Sequence, residues 1–256
     1  MKNLFVIIIL MVFTTYSYGK NPSVSKAEYC QMAGNKTYFK DLLYDKSNRM
    51  SFTNYGGLLN GGVCWWHSRF QRAAIYLTTY RPLQNKPNPK MAKQIIKQIR
   101  KRKNVVAIPG FNNFREFSAD FKKEIHKALE RWQILDGFVY QSWIIGLSGK
   151  TKIKAQKLKI KMNELYHDVV INNNISYQML QFKGIAAHAW FVIDMEKLVN
   201  GYNLTIVDSN STEVKNYLYK FGDENFTYRS YTPFVPYLQR KTELKRIFQA
   251  SKRYCL

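Results

Sequence analysis

The chain has 256 residues, with 40 lysines and arginines against 17 aspartates and glutamates, which gives a formal net charge of +23. Because 46% of the residues are hydrophobic and 15% are aromatic, there is ample material for a buried core, and an intrinsically disordered chain is excluded. So basic a surface attracts polyanions such as anionic lipid, lipopolysaccharide, nucleic acid or an acidic protein. No helix-turn-helix, ribonucleoprotein or zinc-finger pattern occurs, so nucleic acid is the least favoured of these partners.

Residues 1–19 have the features of a secretory signal peptide. Lys2 supplies a positive N-terminal region, residues 4–13 form an apolar run too short to span a bilayer, and Ser17 and Gly19 are small residues placed for cleavage. No later stretch is apolar for long enough to cross a membrane. We therefore expect a secreted or periplasmic protein whose mature part is residues 20–256.

The first half of the mature chain has mainly helical spacing. Apolar residues three or four apart are typical of a helix with one buried face, and prolines or glycines mark where such a helix ends. The expected elements are a short helix or arm within 20–50, a glycine-rich loop over 51–62, a helix over 63–79 ended by the proline-containing segment 81–90, a basic helix over 91–103, a strand over 105–108, and a helix over 119–135 capped by Ser118.

The second half changes to strands and turns rich in tyrosine and phenylalanine. Residues 138–147 predict a strand or buried segment, and the lysine-rich residues 150–161 fit either a basic edge strand or a surface helix. The clearest strands are 184–193 and 204–207, joined by a connection that contains the turn signal Asn200-Gly201. The sequence therefore predicts the α+β class.

Cys64 follows the glycines of the loop and begins the helix predicted over 63–79. Trp66, Phe70, Ala73 and Leu77 have the spacing of a buried helical face, so this helix is expected to be packed. Unpaired backbone N–H groups and the positive end of the helix dipole favour thiolate over thiol at such a position. Cys64 is therefore a candidate nucleophile, although most free cysteines are only small buried hydrophobic residues.

His188 and Asp208 lie on the two clearest strands. If these strands pair antiparallel with the connection centred near Leu198, the two residues face each other, and a carboxylate can accept the imidazole N–H. A connection centred on Asn200-Gly201 would offset the pair, and a bulge would then be needed to restore it. The three residues together predict a Cys-His-Asp triad.

The matching motifs are Gly62-Val63-Cys64, His188-Ala189 and Asp208-Ser209-Asn210. In this order they resemble the papain-like cysteine peptidases, and most of all their YopT-like branch. The resemblance implies a two-lobed papain-like domain, with a helical lobe over about 20–150 that carries Cys64 and a β lobe over about 165–256 that carries His188 and Asp208. It implies an exported cysteine peptidase that acts on protein or peptide substrates.

The resemblance also implies an oxyanion hole with Cys64 N–H as one arm. No glutamine stands at the position that the family uses for the other arm, so Asn60 and Asn54 are the candidates. The candidate cleft residues are Trp65, His67, Trp190 and Asn210.

Two other interpretations stay open. His188-Ala189-Trp190 followed by Asp208 also resembles the core of transglutaminase-like proteins, which use the same triad for acyl transfer to an amine. An inactive, basic module that binds anionic surfaces is the alternative from another class. Cys64 and His67 could be half of a metal site, but no second cysteine or histidine pair stands at ligand spacing, so neither a metal nor another cofactor is expected.

Three cysteines occur, and Cys30 and Cys255 lie close to the two ends of the mature chain. They could form a disulfide in an oxidising compartment and leave Cys64 free, although three thiols permit three pairings. Asn210 is one of several Asn-x-Ser/Thr sequences, and a glycan there would crowd the candidate triad. This favours a bacterial source.

Overall fold

The structure, a computed structural model, describes residues 24–35, 37–57, 62–140, 150–182, 187–227, 233–238 and 241–256. The predicted signal peptide and most of the segment 138–147 lie outside the described residues. Helices and strands occur together throughout the described chain, which is of the α+β class. The helices are α1 (Lys26–Gly34), α2 (Tyr38–Tyr44), α3 (Cys64–Leu77), α4 (Pro89–Lys101), α5 (Phe114–Asp120), α6 (Lys122–Ile134), α7 (Ala155–Tyr166) and α8 (Lys241–Cys255).

The strands form a parallel pair and a five-stranded antiparallel sheet. In the larger sheet the spatial order is β6-β5-β4-β3-β7, and in the smaller one β1 pairs with β2. The strands are β1 (Thr78–Arg81), β2 (Val106–Pro109), β3 (Ser176–Gln181), β4 (Ala187–Leu198), β5 (Gly201–Asp208), β6 (Val214–Lys220) and β7 (Val235–Leu238).

The larger sheet has a hydrophobic core on each face. Along β4, Ala189, Phe191 and Ile193 join the cluster that contains α3, whereas Trp190 and Val192 join a second cluster on the opposite face. This alternation follows from the two-residue period of a strand. The central strand that carries His188 is therefore fixed by packing from both sides.

Helix α3 is the centre of the first core, since all 14 of its residues are buried. It ends at Leu77, and the next residue, Thr78, begins β1 and donates its hydroxyl to the carbonyl of Ala74 at 2.7 Å. The prolines of 81–90 therefore do not end this helix, contrary to expectation. The helix ends here because Thr78 pairs with Val106 of β2 and so begins β1.

The single helix predicted over 119–135 is two helices. Asn113 caps α5, its side chain accepting the N–H of Glu116 at 2.9 Å, and α6 begins after a break at Phe121, where φ is −109° and ψ is 30°. Ser118 is not a cap. It lies buried within α5, where its hydroxyl accepts the N–H of Ser51 at 2.9 Å and so anchors the loop that precedes α3.

The lysine-rich segment forms α7 and has a buried face. Leu158, Met162 and Leu165 are spaced by four and three residues and cover the second core. The expectation of strands to the end of the chain is also wrong, because α8 closes it. A disulfide joins Cys30 on α1 to Cys255 on α8, and Cys64 keeps its thiol.

No helix in the described part of the chain combines the length and hydrophobicity that crossing a bilayer requires.

Candidate active site

Cys64 is the first residue of α3, and only 5% of it is exposed. The turn before it depends on Gly62, whose φ is +82° and where a Cβ atom would meet the side-chain oxygen of Asn54. This backbone conformation favours glycine, and a larger residue would also displace the Asn54 side chain. Two further bonds hold the turn, since Gly62 donates to the carbonyl of Gly56 at 2.7 Å and accepts from the side chain of Gln133 at 3.0 Å.

His188 connects Cys64 to Asp208. Its Nε2 lies 2.6 Å from Oδ1 of Asp208, and the ring is also hydrogen-bonded to Cys64. Because a carboxylate only accepts, Nε2 is the donor to Asp208, and Nδ1 is the nitrogen left for Cys64. His188 and Asp208 are 4% and 2% exposed, so the three side chains form one buried polar chain.

The electrostatics of this chain favour a charged imidazole. Burial lowers the pKa of His188, but the hydrogen bonds and charges of Asp208 and Cys64 outweigh burial and raise it to about 9. Burial raises the pKa of Asp208, yet His188 and the backbone N–H of Asn210, which donates to Oδ1 at 2.8 Å, together hold it below its ordinary value. His188 is thus protonated, and Asp208 ionised, at neutral pH.

The strand register differs from the one assumed from the sequence. The β4–β5 turn places Leu198 opposite Gly201, a bulge lies between Val192 and Asp194, and the residue opposite Asp208 is Trp190. His188 lies two residues before Trp190 on β4 and is therefore a diagonal neighbour of Asp208. A diagonal pair is still within reach of long side chains, and the 2.6 Å bond is made from there.

One backbone carbonyl brings together the elements that carry the three residues. The oxygen of Ala189, next to His188, accepts the hydroxyl of Ser209 at 3.1 Å and that of Ser68 on α3 at 3.4 Å. Ser209 follows Asp208 directly, and Ser68 lies one helical turn beyond Cys64. Small hydroxyl side chains thus fix the helix, the strand and the turn against one another.

Of the two candidate oxyanion donors, Asn60 and Asn54, the structure describes only Asn54. Asn60 lies outside the described residues. The side-chain nitrogen of Asn54 donates to Oγ of Ser209 at 3.0 Å and to Oδ1 of Asn210, and its backbone N–H donates to the carbonyl of Ser209 at 2.8 Å. Both amide hydrogens of Asn54 are engaged, so its role is to hold the turn after Asp208 rather than to supply an oxyanion donor.

Two of the candidate cleft residues on α3 are packed. Trp65 is 4% exposed and packs against Trp66, with ring centroids 5.4 Å apart and the rings tilted with respect to each other. His67 is 3% exposed and its Nε2 donates to the carbonyl of Phe52 at 2.8 Å. Burial lowers the pKa of His67 to about 4, so it is neutral at physiological pH.

The other two candidates lie in opposite environments. Trp190 is fully buried on the opposite face of the sheet from the α3 core, where it packs against Tyr217, Phe226 and Phe234, so the prediction of a cleft position was wrong. It follows the alternation of β4 into the second core. Asn210 is exposed and accepts a hydrogen bond from Asn54.

Residues that the sequence did not single out complete the site. Phe182, directly after β3, stacks parallel to the ring of His188 at a centroid distance of 6.5 Å. Ser68 and Ser209 make the shared bonds to Ala189. The position of Ser209 within Asp208-Ser209-Asn210 was the only local signal, because the contacts of Phe182 and Ser68 are made across the fold.

Metal ligation has no support among the described residues, where no group of three or more His, Cys, Asp or Glu side chains could hold an ion. His67, the residue that suggested half a metal site, uses Nε2 for the carbonyl of Phe52.

Comparison with known proteins adds no family to this description: no protein-family model, curated protein or solved structure matches the chain.

Proposed function

We propose that the protein is an exported cysteine peptidase in which Cys64, His188 and Asp208 form the catalytic triad. The observation that carries the proposal is the buried chain from Cys64 through His188 to Asp208, with its 2.6 Å bond between Nε2 and the carboxylate. Free buried cysteines do not as a rule have a charged histidine as a neighbour. Strongly perturbed titratable groups that contact one another are typical of functional sites.

The chemistry follows from the positions of the atoms. The Cys64 thiolate would attack the carbonyl carbon of the scissile peptide, forming a C–S bond while the carbonyl electrons move to oxygen. N–H groups in the first turn of a helix have no intrahelical acceptor, so the start of α3 offers donors for that oxygen.

When the intermediate collapses, the C–N bond breaks and the protonated His188 gives its proton to the leaving amine. Neutral His188 then takes a proton from water, whose oxygen attacks the thioester and releases the acid and Cys64. Asp208 keeps the imidazole oriented through both steps.

The arrangement of the chain is consistent with a papain-like, two-lobed domain. The cysteine stands at the start of a buried helix within a largely helical half, and the histidine and aspartate stand on adjacent antiparallel strands. The bond between Cys30 and Cys255 is of the kind that persists in oxidising compartments, which supports a secreted or periplasmic location.

The first test is alkylation of Cys64 by iodoacetamide between pH 5 and 9, with the labelled residue mapped by mass spectrometry. A thiolate paired with the imidazolium of His188, as proposed, reacts without first losing a proton, so we expect labelling at pH 6 to be nearly as fast as at pH 8. In His188→Ala, labelling at pH 6 should fall at least tenfold, because the imidazolium that stabilises the thiolate is lost.

Wild-type labelling that rises only near pH 8.5, where an ordinary thiol ionises, would refute the triad.

Incubation with unfolded proteins and a peptide mixture then tests the reaction itself, with Cys64→Ala as the inactive control. New N-termini support the peptidase. Amide cross-links without new N-termini would replace it with the acyl transferase.

A further inference from the structure

An open pocket of about 580 Å³ lies beside the 51–57 loop. It is bounded by the 3-10 helix Lys46–Asn48, by Ser51 and Phe52, and by the first residues of α5 and α6. Phe52 connects it to the candidate active site, because its side chain lines the pocket and its carbonyl accepts from His67.

Arg49 lies between Ser47 and Ser51 in the sequence, two residues that line the pocket, and only 5% of its side chain is exposed. Its Nε and Nη1 atoms are inaccessible to solvent and have no hydrogen-bond partner among the described residues. Nη2 of Arg49 lies 3.9 Å from Glu213, but Nε and Nη1 lose their hydration without a hydrogen bond in return, which is costly.

Arg115 places a second guanidinium beside the first. It lines the pocket, and its Nη1 is also buried without an acceptor in the described part of the chain. Burial lowers the pKa of Arg49, Glu213 opposes this, and the charge of Arg115 lowers it further, so the two guanidinium groups are close enough to repel each other. Lys122 adds a third cation to the pocket wall.

The carboxylates nearby are mostly engaged elsewhere. Glu213 is paired with Lys46 and lies 3.9 Å from Nη2 of Arg49, and Asp45 accepts the backbone N–H and hydroxyl of Ser47. Glu116, which also lines the pocket, accepts from the side chains of Asn112 and Asn113. None of these bonds reaches the buried N–H groups of Arg49 and Arg115.

We infer that this pocket is a binding site for an oxyanion group, such as a phosphate or a carboxylate, held by Arg115 and Lys122, which line it. Such a group would accept charge-assisted N–H···O⁻ bonds from these two side chains, and its negative charge would offset the repulsion between Arg115 and Arg49. The site is distinct from the proposed triad, and its occupation does not depend on turnover.

The test measures thermal unfolding of the full chain at pH 7.5 in increasing inorganic phosphate, with sodium chloride adjusted to keep the ionic strength constant. A ligand that binds the native state raises the midpoint in a saturable way set by its dissociation constant. We expect a saturable rise for the wild type and at least tenfold weaker phosphate binding for Arg115→Gln, a partly exposed residue whose replacement leaves the core intact.

Lys152→Gln is the matched control, because it removes one positive charge from a surface ion pair with Glu224 on another part of the molecule. It should bind phosphate as the wild type does. A parallel titration with succinate identifies the anion: whichever of phosphate and carboxylate saturates at the lower concentration is the preferred group. A rise that does not saturate, or that is equal in Arg115→Gln and the wild type, would overturn the inference.

Discussion

The pKa values of two buried histidines near Cys64 are shifted in opposite directions. Burial lowers the pKa of both, but only His188 has hydrogen-bonding partners, Asp208 and Cys64, that raise its pKa to about 9. His67 makes its bond to a neutral carbonyl, and its pKa falls to about 4. At neutral pH the protein therefore holds one charged and one neutral imidazole near the same thiol, and the difference comes from their partners rather than from their depth.

The low pKa of His67 makes the protein sensitive to acid. The pKa of His67 is about 4 in the folded protein and 6.5 in the unfolded chain, so the unfolded chain takes up the proton at a higher pH. The free energy of unfolding is therefore highest above pH 6.5 and falls as the pH falls towards 4. The loss amounts to about 3 kcal/mol, at about 1.4 kcal/mol for each pKa unit. Urea unfolding at pH 7 and pH 4.5 measures it.

His67→Gln keeps a side-chain donor for the carbonyl of Phe52 but does not titrate in this range. Between pH 7 and pH 4.5, the wild type should lose about 2 kcal/mol or more of its free energy of unfolding beyond what the variant loses. Equal losses in the two proteins would show that His67 is not the acid-sensitive group.

At the scale of elements, α3 is fixed to α8 by a buried ionic cluster. Arg69 is hydrogen-bonded to Glu243 on α8 and paired with Asp136, and its guanidinium stacks 4.2 Å above the ring of Trp132. Glu243 also lies 3.6 Å from Arg72 and 3.9 Å from Arg102. One carboxylate therefore holds three guanidinium groups next to the helix that carries Cys64.

Glu243→Gln should be strongly destabilising, because it leaves buried arginines without their counterion. We expect a loss of about 3 kcal/mol or more at pH 7. Burial raises the pKa of Glu243, but the arginines overcome it and lower the pKa to about 2, so the stabilisation present above pH 4.5 is lost as the pH falls towards 2.

Urea unfolding tests this change against Glu224→Gln, which removes an equivalent charge from an exposed pair with Lys152 at 3.5 Å. The control should lose less than about 1 kcal/mol, because solvent screens exposed pairs. Similar losses for the two variants would mean that the buried cluster contributes no more than a surface pair.

At the scale of the whole molecule, the disulfide between Cys30 and Cys255 restricts nearly the entire described chain. The two residues are 225 apart in sequence and link α1 to α8, which packs on α3. A crosslink that closes so long a loop removes much of the conformational freedom of the unfolded chain. The stability of the candidate site therefore depends on a bond that lies outside it.

The double variant Cys30→Ser/Cys255→Ser should be less stable by about 5 kcal/mol in the chain-entropy account. Dithiothreitol should lower the urea midpoint of the wild type to that of the variant and leave the variant unchanged, since Cys64 is not disulfide-bonded. A wild-type midpoint that does not respond to full reduction, verified by thiol counting, would contradict this account.

The net charge of +23 is a second property of the whole molecule. It predicts binding to anionic surfaces that weakens with salt. The proposed oxyanion pocket differs from this general field, because it depends on particular cationic side chains and should persist when the ionic strength is held constant.

The features that could be predicted from the sequence depend on residues that are close together along the chain. Periodic apolar residues predicted the buried helix that begins at Cys64, the basic helix α4 and the strands β4 and β5. This was possible because the period of a helix and that of a strand are each visible within a few residues. The residue types Cys64, His188 and Asp208 were identifiable because the chemistry of a thiol, an imidazole and a carboxylate belongs to the side chains themselves.

The way in which these local elements meet depends on tertiary packing. The bulge on β4 and the short turn at 199–200 made His188 and Asp208 a diagonal pair, which no local pattern specified. The roles of Asn54 and Ser68 likewise follow from contacts across the fold. Register and hydrogen-bond partners depend on residues far apart in sequence, so the packing of the whole molecule selects among alternatives that local propensity leaves equal.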